Sequence, residues 1–225
     1  MQSKRNQWLA LLFFAVLCLC VTASANTVSV TFTGTGGQVA GNAYVYPYYL
    51  NVNGNKITAV CDDYSDDVTN NEKWYGTENT FSDLSTTLFA SQPGSQQKYE
   101  QAAWLLLQFA SHPTDTAGIQ YAIWDLFDSG APGYGHGQNS SSYWLQQAQG
   151  QDFSGFDFSG FRIYTPTAWW DPQTHAYDNL DLGTRPQEYI ATPEPAAIVL
   201  FGSAALLLML GMAWKRRREM GESIL

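Results

Sequence analysis

The 225-residue chain is poor in cysteine, in basic side chains and in histidine, and each shortage excludes something. Its three cysteines are Cys18, Cys20 and Cys61, and the first two fall within an N-terminal apolar run. With that run removed Cys61 stands alone, so no disulfide framework can hold the domain together. Residues 26–192 carry five basic residues against 17 acidic ones, a net charge of −12. Such a surface repels phosphate backbones, and nucleic acid is not an expected partner. The histidines show no His-Glu-x-x-His spacing. Asp62, Asp63, Asp66 and Asp67 lack the glycine and the distant glutamate of a calcium-binding EF-hand loop, and read as a solvated acidic loop. No metal or cofactor is expected. Ser140–Ser142 have no nucleophile-elbow context, and no carboxylate pair is recognisable from spacing, so no enzyme is expected either.

The two ends follow another logic. Lys4 and Arg5 precede an apolar run from Trp8 to Val21 and then Ala23-Ser24-Ala25. A basic start, a short apolar core and small residues at −3 and −1 predict a signal segment, residues 1–25, removed by signal peptidase. A lipoprotein signal at Cys18 or Cys20 is the rival, but Leu17 and Leu19 stand where a small residue is wanted. At the C-terminus Ala196–Trp214 is apolar, and about 19 residues of helix span roughly 28 Å, enough to cross a bilayer. Lys215, Arg216, Arg217 and Arg218 follow at once, and a basic cluster beside a span stays in the cytoplasm. The domain at 26–192 is therefore expected outside the membrane, with 220–225 as a cytoplasmic tail.

Within that domain, Thr27–Thr33 alternates strictly and predicts a strand. Tyr44–Val52, interrupted by Pro47, and Lys56–Asp62 predict a hairpin around Asn53-Gly54. On the returning strand Ile57, Ala59 and Cys61 share a face, which points Cys61 inward, and Asp62 shares the opposite face with Val60. Gln97–Ala110 has helical spacing and stops at His112-Pro113. Thr114 or Asp115 can start a second helix that runs to about Asp128. Tyr143–Leu145 reads as a helical turn, and Phe161–Thr165 and Glu188–Thr192 as closing strands. Phe153–Phe156 is echoed by Phe158–Phe161, a duplication too short for a repeat architecture. Strands, then helices, then strands predict an α+β domain, a β-rich antiparallel barrel or sandwich with an inserted helical segment, plus the C-terminal transmembrane helix.

The chemistry concentrates in two residues. Gln120 lies on the second helix among Thr116, Ile123, Trp124 and Phe127, a largely apolar face where a carboxamide is costly unless paired. An inward-facing thiol and a buried carboxamide can condense to a thioester, given close positioning and exclusion of water.

Ala59-Val60-Cys61-Asp62-Asp63-Tyr64 and Ile119-Gln120-Tyr121-Ala122-Ile123-Trp124 resemble the paired Cys and Gln-x-Ala-Ile-Trp motifs of bacterial thioester domains. Val60 and Ile119 stand where that family often has an aromatic residue and a threonine. The resemblance implies a β-rich scaffold with a helical subdomain. It also implies a Cys61–Gln120 thioester, shielded by Trp124 and Ile123, that attaches to an amine or hydroxyl on a target. Pro193-Glu194-Pro195, the apolar span and the Lys215–Arg218 cluster resemble the PEP-CTERM sorting signal of exopolysaccharide-producing Gram-negative bacteria. That resemblance implies an exosortase-type processing enzyme, residues 193–219 as its signal, and delivery to the cell surface or extracellular matrix. The alternative is a matrix or polysaccharide-binding protein of the same fold without the bond. In that reading Tyr44, Tyr46, Tyr48 and Tyr49, or Trp169 and Trp170, form a stacking platform.

Overall fold

A computed structural model describes residues 26–171, 176–179 and 186–192. The predicted signal segment, Pro193, Glu194, Pro195, the apolar span and the basic cluster lie outside the described residues. Among the described residues no helix is long and apolar enough to cross a membrane.

Strand β1 (Asn26–Thr35) is followed by a small hairpin, β2 (Val39–Ala40) and β3 (Ala43–Tyr44). Strands β4 (Tyr48–Val52), β5 (Asn55–Cys61) and β6 (Lys73–Asn79) come next. Three helices intervene: α1 (Ser95–Ser111), α2 (Thr116–Phe127) and α3 (Ser141–Gln149). The chain returns through β7 (Arg162–Asp171), β8 (Ala176–Asn179) and β9 (Tyr189–Ala191). Neighbouring strands run β6-β1-β4-β5-β9-β7, all antiparallel, and β7 pairs back onto β6. The result is an α+β molecule with a closed six-stranded barrel. Closure removes the exposed edges that an open sheet would present.

The Asn53-Gly54 turn forms as predicted, with φ of 51° and 89°. Positive φ at both central residues matches the twist of two-residue hairpins, and Asn-Gly accepts it at little cost. Alternation on β4 and β5 then sorts side chains between two cores. Leu50, Ala59 and Cys61 point into the barrel with Val30, Trp74 and Tyr189. Val60, Ile163 and Ile190 point outward, where α1 and α2 cover them with Tyr99, Leu105, Ile119 and Ile123. The helical insertion is thus a second layer over one wall of the barrel. This explains why 11 of the 12 residues of α2 are buried, far more than an amphipathic surface helix hides.

Several expectations need correction. Pro47 does more than interrupt a strand: it separates β3 from β4, so Tyr44–Val52 is not one element. The four tyrosines do not share a platform. Tyr46 stacks on Phe109 at 4.0 Å and Tyr48 is buried, whereas Tyr44 and Tyr49 are exposed. The side chains of Trp169 and Trp170 lie outside what is described. Asp115 precedes α2 but its side chain makes no capping hydrogen bond. The helical turn at Tyr143–Leu145 belongs to a nine-residue helix, capped by Ser140 accepting from the Tyr143 N–H.

Strand β6 has no counterpart in the sequence reading. The doubled segment folds the same way twice: Asp152 and Asp157 each accept from the backbone N–H two residues on, at 2.9 Å. This is the Asx turn that short acidic side chains favour. Gly118 of α2 lies against the loop before α3, and a Cβ there would sit 2.2 Å from the Asn139 carbonyl oxygen.

Candidate functional site

Cys61 is the last residue of β5 and faces Tyr189 across the β5–β9 ladder. It is a free thiol with no solvent exposure. Its Sγ donates to the Asp63 carbonyl at 3.0 Å, a contact set by the turn of the chain away from the barrel. Gln120, one turn into α2, is equally inaccessible. Its Nε2 donates to the Cys61 carbonyl oxygen at 2.6 Å, and its Oε1 has no hydrogen-bond partner. An unpaired buried oxygen costs about 1–3 kcal/mol. The two residues predicted to react are brought together, with the amide's donor engaged and its acceptor open.

Trp124 follows Gln120 by one helical turn and is 1% exposed. It packs with Tyr121, Ala40 and Val45. The Tyr121 hydroxyl donates to the Ala40 carbonyl at 2.8 Å, which ties the β2–β3 hairpin down over this helix. The Trp124 indole N–H lies near enough to the thiol to favour its anion, yet it makes no hydrogen bond of ordinary geometry. Ile123 is buried in the helix–barrel layer with Val60 and Ile119.

Burial pushes the Cys61 thiol well above its usual pKa, and Asp63 and then Asp62 push it further, so the group is neutral. The acidic cluster is where the sequence reading fails most. Asp62 and Asp63 are not part of a solvated loop: they are 0% and 1% exposed. The reason is that pairing continues one residue past β5, where the Asp62 N–H reaches the Glu188 carbonyl at 3.4 Å. Asp62 therefore still lies on the barrel wall, and its outward side chain falls under the helices.

Glu188, also fully buried, accepts from the Leu88 N–H at 2.8 Å, from the Tyr99 hydroxyl at 2.5 Å and from the Thr165 hydroxyl. Neither Asp62 oxygen has a partner of ordinary geometry. Burial first, then the charges of Glu188 and Asp63, push Asp62 well above the usual carboxylate range, beside a Glu188 carboxylate that is better hydrogen-bonded. Asp63 is pushed up to about 7 by burial and by Asp66. Its Oδ1 accepts from the Ser65 and Asp66 N–H groups, and its Oδ2 is buried without a partner. One signal for this burial was present in the sequence: Asp62 shares its strand face with Val60.

Among the described residues no group of three or more His, Cys, Asp and Glu side chains is placed to hold a metal. His112 and His136 are exposed. The mouth of the barrel next to Trp124 opens into a cleft of 790 Å3 between the β2–β3 hairpin and the loop after Cys61. Compared with known protein families, with curated proteins and with solved structures, the chain finds no match in any of the three.

Proposed function

We propose that this chain is an exported surface protein whose Cys61 and Gln120 join in an internal thioester, a stored acyl group for one covalent attachment. The observation that carries the reading is the contact of the Gln120 side chain with the main chain of Cys61 in a dry site. Both residues are fully buried, and the Gln120 amide lies 2.6 Å from the Cys61 carbonyl oxygen. In the bond-forming step Sγ attacks Cδ of Gln120, the C–N bond breaks, and ammonia leaves with the thiol proton. An unaided amide resists such attack, and the step needs Sγ held in near-attack position on Cδ, which can supply roughly 7–11 kcal/mol of the barrier. An amine or hydroxyl of a target then adds to the same carbon, keeps the Gln120 acyl group and returns the proton to Cys61. Each chain reacts once, so the protein is not an enzyme.

Trp124 and the hairpin held by Tyr121 supply the water exclusion that a thioester needs to persist. Release of Nε2 as ammonia leaves the Gln120 carbonyl one helical turn from Trp124, whose indole N–H is unpaired and could serve it as a donor. In this reading residues 1–25 direct export, and Pro193-Glu194-Pro195, the apolar span and the basic cluster hold the domain outside the membrane until a sorting enzyme processes them.

Intact mass of the exported protein tests the bond. The expected species lacks one ammonia, and incubation with methylamine converts it to an adduct located on Gln120 with a free Cys61 thiol. A protein of full mass that takes up no methylamine removes the proposal.

A further inference from the structure

The 790 Å3 cleft next to Trp124 has a lining that selects for one kind of ligand. Its volume is that of an ordinary small-molecule site. The floor is aromatic: Phe32, Tyr48 and Trp124 are nearly inaccessible at the bottom, while Tyr44, 55% exposed, stands at the rim. Tyr64 forms a side wall and packs on Trp124 with ring centroids 5.1 Å apart. The remaining wall is amide and hydroxyl, from Asn42, Asn70, Thr35 and Thr69.

Among the described residues the lining holds no lysine, arginine or histidine, so none of them offers a charged partner to a phosphate, sulfate or uronate. The net charge of −12 across residues 26–192 works in the same direction. A wholly apolar ligand would strip water from the rim amides and hydroxyls without replacing their hydrogen bonds, and each group so stranded weakens binding. Asp67, the single charged residue of the lining among the described residues, is solvent-exposed, so its pull on an ammonium group is weak. A neutral polyol with apolar ring faces satisfies both halves of the wall at once.

We infer that this cleft binds a neutral oligosaccharide, with sugar rings laid on Tyr44 and Tyr64 and hydroxyls paired to Asn42 and Asn70. Binding there needs no thioester, so the site stands whether or not the Cys61–Gln120 bond forms. The test titrates the exported full chain with maltotetraose, cellotetraose and chitotetraose, followed by saturation-transfer NMR, with tetragalacturonate and tetralysine as charged controls. At least one neutral tetramer is expected to saturate, with the same affinity for the Cys61→Ser variant. Tyr44→Ala and Asn70→Ala are expected to bind at least tenfold more weakly. Both positions lie at the cleft rim, and Tyr44 in particular is too exposed for its loss to unfold the domain. Failure of all three neutral tetramers to saturate overturns the inference, as does unchanged affinity in both rim variants or tighter binding of either charged control. A saccharide signal that vanishes in Cys61→Ser would belong to the covalent chemistry and would also overturn it.

Discussion

The side-chain amide of Gln120 donates to the main-chain carbonyl of Cys61, joining α2 to the last residue of β5 across 59 positions of chain. Gln120→Ala removes both the proposed acyl group and this link. The variant is expected to show full mass with no ammonia loss. Its denaturation midpoint should fall by the equivalent of about 1–3 kcal/mol, because the Cys61 carbonyl loses its side-chain donor in a buried site. A variant that still lost ammonia would place the acyl group on some other residue.

Trp124 combines a ring that excludes water with an N–H that makes no hydrogen bond of ordinary geometry, and two substitutions separate them. Trp124→Phe keeps most of the ring and removes the donor. Its fold should survive while thioester formation after refolding, followed by intact mass over time, slows at least tenfold. Trp124→Ala removes the packing as well and should cost about 3–5 kcal/mol of stability.

The buried carboxyls make stability depend on pH in an unusual direction. Asp62, Asp63 and Glu188 all have pKa values raised by burial, and the groups facing Asp62 are Glu188, Asp63, Tyr99 and Cys61, with no cation among them. The folded state therefore binds more protons than the unfolded chain. The stability this contributes is fully present below the ordinary carboxylate range and is lost as pH rises; for Asp63 the window runs from 3.8 to about 7. The thermal midpoint should rise as pH falls from 7 to 5. Asp62→Asn, neutral at every pH, should flatten that slope without unfolding the domain. A midpoint that falls over the same interval in the parent chain would contradict the assignment.

Gly118 tests the seam between α2 and the loop before α3. A methyl group 2.2 Å from the Asn139 carbonyl oxygen cannot be accommodated without moving backbone. Gly118→Ala should destabilise by about 1–3 kcal/mol in urea titration, although alanine is the better helix former.

Local pattern made part of this legible. The Asn53-Gly54 hairpin, the inward face of Cys61 and the long period of α1 and α2 follow from spacing alone, because turn chemistry and periodicity act within a few residues. Strand β6 was hidden because Lys73–Asn79 places Gly76 and Asn79 at buried positions, where an alternating apolar signal is expected. Asn79 is buried because its Nδ2 donates to Thr165, 86 residues away. The Asp62–Glu188–Tyr99 cluster was hidden for the same kind of reason: Asp62 just after β5, Glu188 just before β9 and Tyr99 of α1 meet in the interior only through the tertiary fold.

By itself the sequence determined the basic and apolar signatures of the two ends, Cys61 as the one cysteine between them, the acidic balance, and the succession of strands, helices and strands. Each of these is a property of composition or of short-range period. The tertiary structure alone decided that the barrel closes through β6 and β7, that Gln120 reaches Cys61, and that Asp62 and Asp63 are buried beside them. Those outcomes depend on which outer wall of the barrel the helices cover. No local period encodes that choice, since it is set by the long-range burial of Val60, Ile163 and Ile190.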